Sequence, residues 1–176
     1  LFNKLGYKSY HWVYRNKKDY IGNWIKKNKS RKEKLLSFIP HHEGKEIAVT
    51  QMDVCINEKN CYWPQITDYI QLYEENPDAI FILNMRDPID ILKSMKKWAD
   101  YDKRMIKYNP ELFEGLIGTN DQKIIQLIQI HFYNVIHFFQ KKKEAKFLVY
   151  HIITDKIEKL NKYIDTKDLE FPTVNK

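Results

Sequence analysis

The chain has few cysteines, few glycines and no long apolar run. Among its 176 residues are 2 Cys and 5 Gly, and the glycines at 6, 22, 44, 115 and 118 form no cluster that could serve as a phosphate-binding loop. Apolar runs such as residues 80–83 are far shorter than the roughly 20 residues that a membrane-spanning helix needs. We therefore expect no membrane span in this chain.

The two cysteines, Cys55 and Cys61, provide neither a disulfide framework nor a recognisable metal-ligand spacing. The sequence predicts two ordinary free thiols and no metal site. Free thiols favour a reducing compartment such as the cytoplasm.

The positive charge is unevenly distributed. The formal net charge is +7, and residues 1–46 hold 12 Lys or Arg against 4 Asp or Glu. This basic first quarter is either a surface that contacts an anionic partner or a solvated Lys-rich face. The run at residues 26–34 lacks the interleaved aromatics and glycines of a single-strand binder, so we expect no nucleic-acid partner.

Strand-like and helix-like segments alternate along the chain. Strands are predicted at residues 8–13, 46–52, 79–85 and 146–151. Helices are predicted at residues 19–27, 30–38, 64–75, from 88 onward, 119–142 and 155–164, with an irregular segment at 99–118. The alternation predicts a single α/β domain over residues 1–176, with a mostly parallel central sheet flanked by helices.

Helix and turn signals accompany several of these segments. Asp87 is the expected N-cap of the helix that begins at Pro88. Capping boxes are expected for Ser30 with Glu33 and for Thr119 with Gln122. Residues 40–44 are predicted to form a turn.

Polar residues follow each predicted parallel strand: His11, Asp53, Arg86 and His151. Ligands of open parallel sheets gather at the carboxyl ends of the strands. We therefore expect these four side chains to lie at one edge of one sheet.

The segment AIFILNMRDPIDILKS (residues 79–94) has a phosphate-binding arrangement. Arg86 ends the strand, and Ser94 lies about two helical turns further on, roughly 10 Å along the helix axis. A guanidinium fork and a hydroxyl in these positions suit a phosphate dianion. On spacing alone, an alternative is that Arg86 pairs with a local carboxylate such as Asp90 while Ser94 faces solvent.

Residues 73–94 resemble the 3′-phosphate-binding strand, turn and helix of the sulfotransferases, in which a serine follows the arginine by eight positions. LGYKSYH at residues 5–11 is similar to the segment that follows the first helix of that family. Asp53 falls where many members carry an acidic residue. Residues 146–150 and the FPTVN at 171–175 resemble the last strand and the close of the family domain. The resemblance implies a P-loop NTPase-like sulfotransferase fold.

The resemblance implies a sulfotransferase that moves a sulfuryl group from 3′-phosphoadenosine 5′-phosphosulfate (PAPS) to an acceptor hydroxyl or amine, with adenosine 3′,5′-bisphosphate as the other product. It implies that Arg86 and Ser94 bind the 3′-phosphate. Asp53 is the candidate general base. His11 is a weaker alternative that either lines the acceptor pocket, acts as base, or packs structurally beside Tyr10 and Trp12.

The resemblance also implies a first strand and a phosphosulfate-binding loop ahead of Leu1, which this chain lacks. Two other functions stay open: a kinase-like P-loop enzyme, and a non-catalytic domain that binds an anion through residues 1–46. The class of acceptor and the oligomeric state are open. A cytoplasmic location is favoured, with the Golgi lumen as the alternative if an N-terminal anchor is missing.

Overall fold

The computed structural model describes residues 2–14, 19–39 and 46–166. Two sequence predictions lie outside these residues, namely the turn at 40–44 and the FPTVN segment at 171–175.

Six strands and six α-helices make up the described chain. The strands are β1 (Lys8–His11), β2 (Ile47–Thr50), β3 (Val54–Asn57), β4 (Asn60–Tyr62), β5 (Ile80–Met85) and β6 (Lys146–His151). The helices are α1 (Ile21–Ser30), α2 (Pro64–Thr67), α3 (Tyr69–Glu75), α4 (Pro88–Lys96), α5 (Tyr101–Tyr108) and α6 (Asn120–Gln140). Three 3₁₀ turns lie at Phe2–Leu5, Pro110–Phe113 and Ile157–Lys162.

The strands pair as three two-stranded sheets. β1 pairs in parallel with β2, β5 pairs in parallel with β6, and β3 and β4 form an antiparallel hairpin. The α/β class is therefore confirmed, whereas the mostly parallel central sheet is not: in the described residues no strand ladder joins β2 to β5. The four strands of the two parallel pairs are the four strands that the sequence predicts, and the hairpin was not anticipated by any sequence signal.

The segment around β5 matches its sequence prediction closely. β5 is followed at once by α4, and the Asp87 carboxylate accepts a hydrogen bond of 2.8 Å from the backbone N–H of Ile89, as an N-cap should. The predicted capping box at Thr119 and Gln122 is also present at the start of α6.

Other helix predictions are wrong. α1 continues to Ser30, whose hydroxyl donates to the Lys27 carbonyl, so Ser30 ends a helix rather than capping one. Residues 31–32 and 35–38 form turns. The predicted helix at 64–75 is divided into α2 and α3 at Asp68, and the segment predicted to be irregular contains α5. The last predicted helix is a 3₁₀ turn, Ile157–Lys162.

Cys55 and Cys61 are cross-strand neighbours in the β3–β4 hairpin and form a disulfide. The prediction of two free thiols is therefore wrong in this structure. Because disulfides persist mainly in oxidising compartments, the pair removes the basis for expecting a reducing one.

Helix α1 packs closely on the segment that carries Asp53. A Cβ at Gly22 would lie 2.7 Å from the Met52 carbonyl oxygen and 2.9 Å from Val54 Cγ1, so only glycine permits this approach. Further along α1, Lys29 forms an ion pair with the carboxylate of Asp68, which also accepts hydrogen bonds from Tyr62 and Thr67. These contacts fix α1 against the segment from β2 to α3.

Two apolar clusters include residues of this segment. One joins α1 to β1 and α3 through Tyr10, Ile21, Ile25 and Leu72. The other joins α4, α5 and α6 and includes Leu92, Met105 and Ile124. Among the described residues, no helix has the length and apolar character that crossing a bilayer requires.

Candidate functional site

His11 ends β1, and Asp53 follows the last residue of β2 by three positions. His11 is the last residue of β1 and pairs in register with Thr50, the last residue of β2. Its Nδ1 lies 3.0 Å from Thr50 Oγ1, and the ring is exposed. Burial raises the pKa of the Asp53 carboxyl, and His11 is the weakest of the groups that lower it.

The chain turns sharply where both strands end. Trp12 and Gln51 have positive φ angles of 61° and 47°, in a region that residues other than glycine seldom occupy. The Trp12 N–H donates to the Gln51 carbonyl at 3.1 Å. Together these turns direct Asp53 towards the start of the hairpin.

The Asp53 side chain is a buried carboxyl group with two side-chain donors. The residue is 8% exposed. Gln65 Nε2 in α2 donates to Oδ1 at 3.1 Å, and the hydroxyl of Tyr101 in α5 donates to Oδ2. Burial raises the pKa of Asp53, and the hydrogen bonds from Tyr101 and Gln65 oppose that rise. Such a carboxyl group is poised to exchange a proton.

Arg86 lies in the turn between β5 and α4 and is half-buried. Its Nε is buried and has no hydrogen-bond partner, and no carboxylate of the described residues pairs with its guanidinium. Asp90, the carboxylate expected to neutralise Arg86 on spacing alone, instead accepts a hydrogen bond from Lys93 at 3.1 Å. The alternative in which Arg86 pairs with Asp90 is therefore wrong.

Ser94 lies on the second turn of α4 and is half-buried. Its hydroxyl forms no hydrogen bond within the part of the chain that the structure describes. The structure thus leaves both candidate phosphate ligands, Arg86 and Ser94, without protein partners. Both side chains are half-buried, so their donors are only partly exposed to solvent.

The four strand-end residues do not meet at one continuous edge. Arg86 directly follows Met85, which pairs in register with His151 at the end of β6. His11 and Asp53 belong to the other parallel pair. Within each pair, the strand-end residues lie at one edge. No strand ladder in the described residues joins the two pairs into one sheet with a common edge.

Sequence reasoning missed two residues of the site, Gln65 and Tyr101. Gln65 follows Pro64, which correctly predicted a helix start, but nothing in the sequence directs its amide to Asp53. Tyr101 lies in the segment predicted to be irregular. Only the tertiary packing of α5 against β3 brings it to a residue 48 positions earlier.

Aromatic residues near the site differ in exposure. Trp63 is 9% exposed and packs against Tyr101, while Trp98 is 67% exposed. Within the described residues, no three His, Cys, Asp or Glu side chains form a group that could hold a metal ion.

Comparisons with known proteins agree with the strand, turn and helix motif. The family model described as a sulfotransferase domain matches residues 1–112, a stretch that includes His11, Asp53, Arg86 and Ser94. No curated protein and no solved structure matches the chain. Since the matched stretch is well over half of the chain, the protein belongs to the sulfotransferase domain family.

Proposed function

We propose that the protein transfers a sulfuryl group from PAPS to a hydroxyl or amine of an acceptor molecule. Membership of the sulfotransferase domain family supports sulfuryl transfer in general. The observation that carries the choice of PAPS is the unpartnered guanidinium of Arg86 at a strand-to-helix turn.

Arg86 and Ser94 are proposed to bind the 3′-phosphate of PAPS. A buried N–H without a partner is costly, and a phosphate dianion would satisfy it with charge-assisted hydrogen bonds. The Ser94 hydroxyl, also free of protein partners, would donate to the same phosphate. The two residues anchor the nucleotide away from the bond that breaks, so their contribution is positional.

Asp53 is proposed as the general base. When the acceptor oxygen or nitrogen attacks sulfur, it loses a proton, and a buried carboxylate is suited to receive that proton. The raised pKa of Asp53 favours this role because a weakly basic carboxylate accepts protons poorly. His11 remains the alternative base, since its ring is exposed at the same strand ends.

A further strand is proposed to lie between β2 and β5. Each has only one hydrogen-bonded neighbour among the described strands. A cavity of about 110 Å³ is lined by Met52 beyond β2 and by three successive residues of β5, Phe81, Ile82 and Leu83. Side chains of α6 and β6 also line this cavity, which therefore separates the end of β2 from β5 beneath α6.

The resemblance suggests what fills this gap. The family places a strand and a phosphosulfate-binding loop before the segment that begins at Leu1. We propose that this strand completes the sheet and that its loop supplies the backbone donors for the 5′-phosphosulfate. The 176 residues then form one sulfotransferase domain together with that strand.

The experiment is a calorimetric measurement of adenosine 3′,5′-bisphosphate binding to the full-length protein and to its Arg86→Ala variant. We expect the variant to lose about 1.5–3 kcal/mol of binding free energy, the range for a hydrogen bond to a charged group. Lys97→Ala is the matched control, because Lys97 is an exposed cation at the end of α4 and forms no ion pair in the described residues.

Two results would contradict the assignment. One is unchanged affinity in Arg86→Ala. The other is equal affinity for adenosine 5′-monophosphate and the bisphosphate, because the monophosphate lacks the 3′ group that Arg86 and Ser94 are proposed to bind.

A further inference from the structure

The carboxylate of Asp53 is held by two elements that follow it in the chain. Gln65 Nε2 in α2 donates to Oδ1 at 3.1 Å, and the Tyr101 hydroxyl in α5 donates to Oδ2. Each carboxylate oxygen therefore has one fixed donor and keeps a lone pair for a second interaction. This arrangement restricts the rotation of the carboxylate.

Tyr101 itself is fixed by its surroundings. Its ring packs against Trp63 with a centroid distance of 5.2 Å. Arg104, one turn further along α5, places its guanidinium 5.8 Å from the Tyr101 ring centroid. Arg104 also donates through Nε to the Cys55 carbonyl at 3.0 Å, which ties α5 to β3 only two residues after Asp53.

We propose that Tyr101 is a positioning residue for sulfuryl transfer: its hydroxyl orients the Asp53 carboxylate and holds it in the ionised form that accepts the acceptor's proton. This proposal rests on the proposed role of Asp53 as general base.

The proton balance of the step is simple. As the acceptor oxygen or nitrogen forms a bond to sulfur, the bond between sulfur and the 5′-phosphate oxygen of PAPS breaks. The electron pair leaves with adenosine 3′,5′-bisphosphate. The acceptor proton passes to Asp53, and Tyr101 keeps its own proton throughout. Burial and the nearby Asp53 charge raise the pKa of Tyr101 well above its ordinary value, so it remains a donor.

The groups around Asp53 determine how Tyr101 affects its titration. The Asp53 carboxyl faces His11 from β1, Gln65 from α2 and Tyr101 from α5, with the Arg104 cation beside Tyr101. Burial is the largest influence and raises the pKa of Asp53, while the Tyr101 hydrogen bond is the strongest of those that lower it. Removal of the Tyr101 hydroxyl should therefore raise the pKa of Asp53 further.

The test measures kcat/KM against pH for the full-length protein and for Tyr101→Phe. We expect the acidic limb of the variant to move to higher pH by about one to two units, with little change in the KM for PAPS. Tyr108→Phe is the matched control, since it removes a hydroxyl from the same helix at a residue that makes no contact with Asp53.

A second variant distinguishes an effect on the hydrogen bond to Asp53 from an effect on folding. A fluorinated tyrosine at position 101 keeps the ring and its packing while strengthening the hydroxyl as a donor. It should move the acidic limb in the opposite direction, to lower pH. A structural role alone would not produce shifts of opposite sign in the two variants.

A measurement without turnover separates this proposal from the proposed function. Carbon-13 NMR of labelled Asp carboxyls, with Asp53→Asn used to assign the signal, follows the titration of Asp53 directly. If Asp53→Asn retains full transfer activity, the proposed base is wrong, but the NMR titration still tests the hydrogen bond. If neither the acidic limb nor the carboxyl titration moves in Tyr101→Phe, the role of Tyr101 is overturned.

Discussion

The Asp90 carboxylate accepts a hydrogen bond from Lys93, three residues further along α4, at 3.1 Å. Both side chains are largely exposed, so this ion pair adds little to stability. Its consequence is local: Asp90, the carboxylate expected on spacing alone to pair with Arg86, is occupied by another cation, while the adjacent Asp87 carboxylate caps α4. Arg86 therefore keeps its charge available for a ligand.

A double-mutant cycle tests whether Arg86 and Ser94 bind one phosphate. Ser94→Ala should weaken binding of adenosine 3′,5′-bisphosphate by about 1 kcal/mol, roughly fivefold, because it removes one hydrogen bond. In the Arg86→Ala background the same change should cost less, since residues that share a ligand group couple. Isothermal calorimetry of the four proteins provides the values.

Asp90→Asn is the control for this cycle. It removes the charge of the neighbouring acid while leaving Arg86 and Ser94 in place, so the affinity should stay nearly constant. Additive losses for Arg86 and Ser94, or a marked increase in affinity on Asp90→Asn, would contradict a shared phosphate site with an unpaired arginine.

Local sequence signals predicted the elements on which Arg86 and Ser94 lie. The apolar run of β5, the cap at Asp87 and Pro88 are all short-range features, and the structure confirms each of them. The positions of His11 and Asp53 at strand ends likewise followed from the order of strands along the chain. Such features depend on neighbours within a few residues, so a sequence reveals them.

Tertiary packing determined the elements that were missed. Ser30 and Glu33 match a capping box, yet α1 continues through Ser30 while the buried Asn28 side chain donates to the carbonyls of Lys34 and Leu35. The strands of the β3–β4 hairpin are four and three residues long, too short for a clear alternating pattern. Contacts of this kind cannot be derived from local propensity.

The disulfide of the β3–β4 hairpin should stabilise the protein. The replacement of Cys55 and Cys61 by Ser should lower the free energy of unfolding by about 2 kcal/mol, the value expected for so short a loop. Urea unfolding of the two proteins measures the difference.

The addition of a reductant is the matching control. It should destabilise the native protein by a similar amount and leave the double variant unchanged. Alkylation of both cysteines in the folded protein without prior reduction would show that the thiols are free, in agreement with the sequence prediction and against the structure.

His131 on α6 is expected to make stability depend on pH. Burial lowers its pKa from 6.5 to about 4, and its Nδ1 is buried without a hydrogen-bond partner. The unfolded chain therefore binds a proton that the folded protein resists. The contribution of His131 to stability is complete above about pH 6.5 and is lost as the pH falls towards 4, by up to about 3 kcal/mol.

Comparison of His131→Leu with the native protein isolates this effect, because the other titrating groups are common to both. Near pH 7 the variant should be about as stable as the native protein, since leucine removes an unsatisfied polar atom from an apolar cavity. At pH 4.5 it should be more stable by about 2 kcal/mol.

His137→Leu, on the exposed side of the same helix, is the control and should show no such gain in stability at pH 4.5. Urea unfolding at several pH values measures the difference, and a constant difference from pH 7 to 4.5 would show that His131 titrates normally in the folded protein.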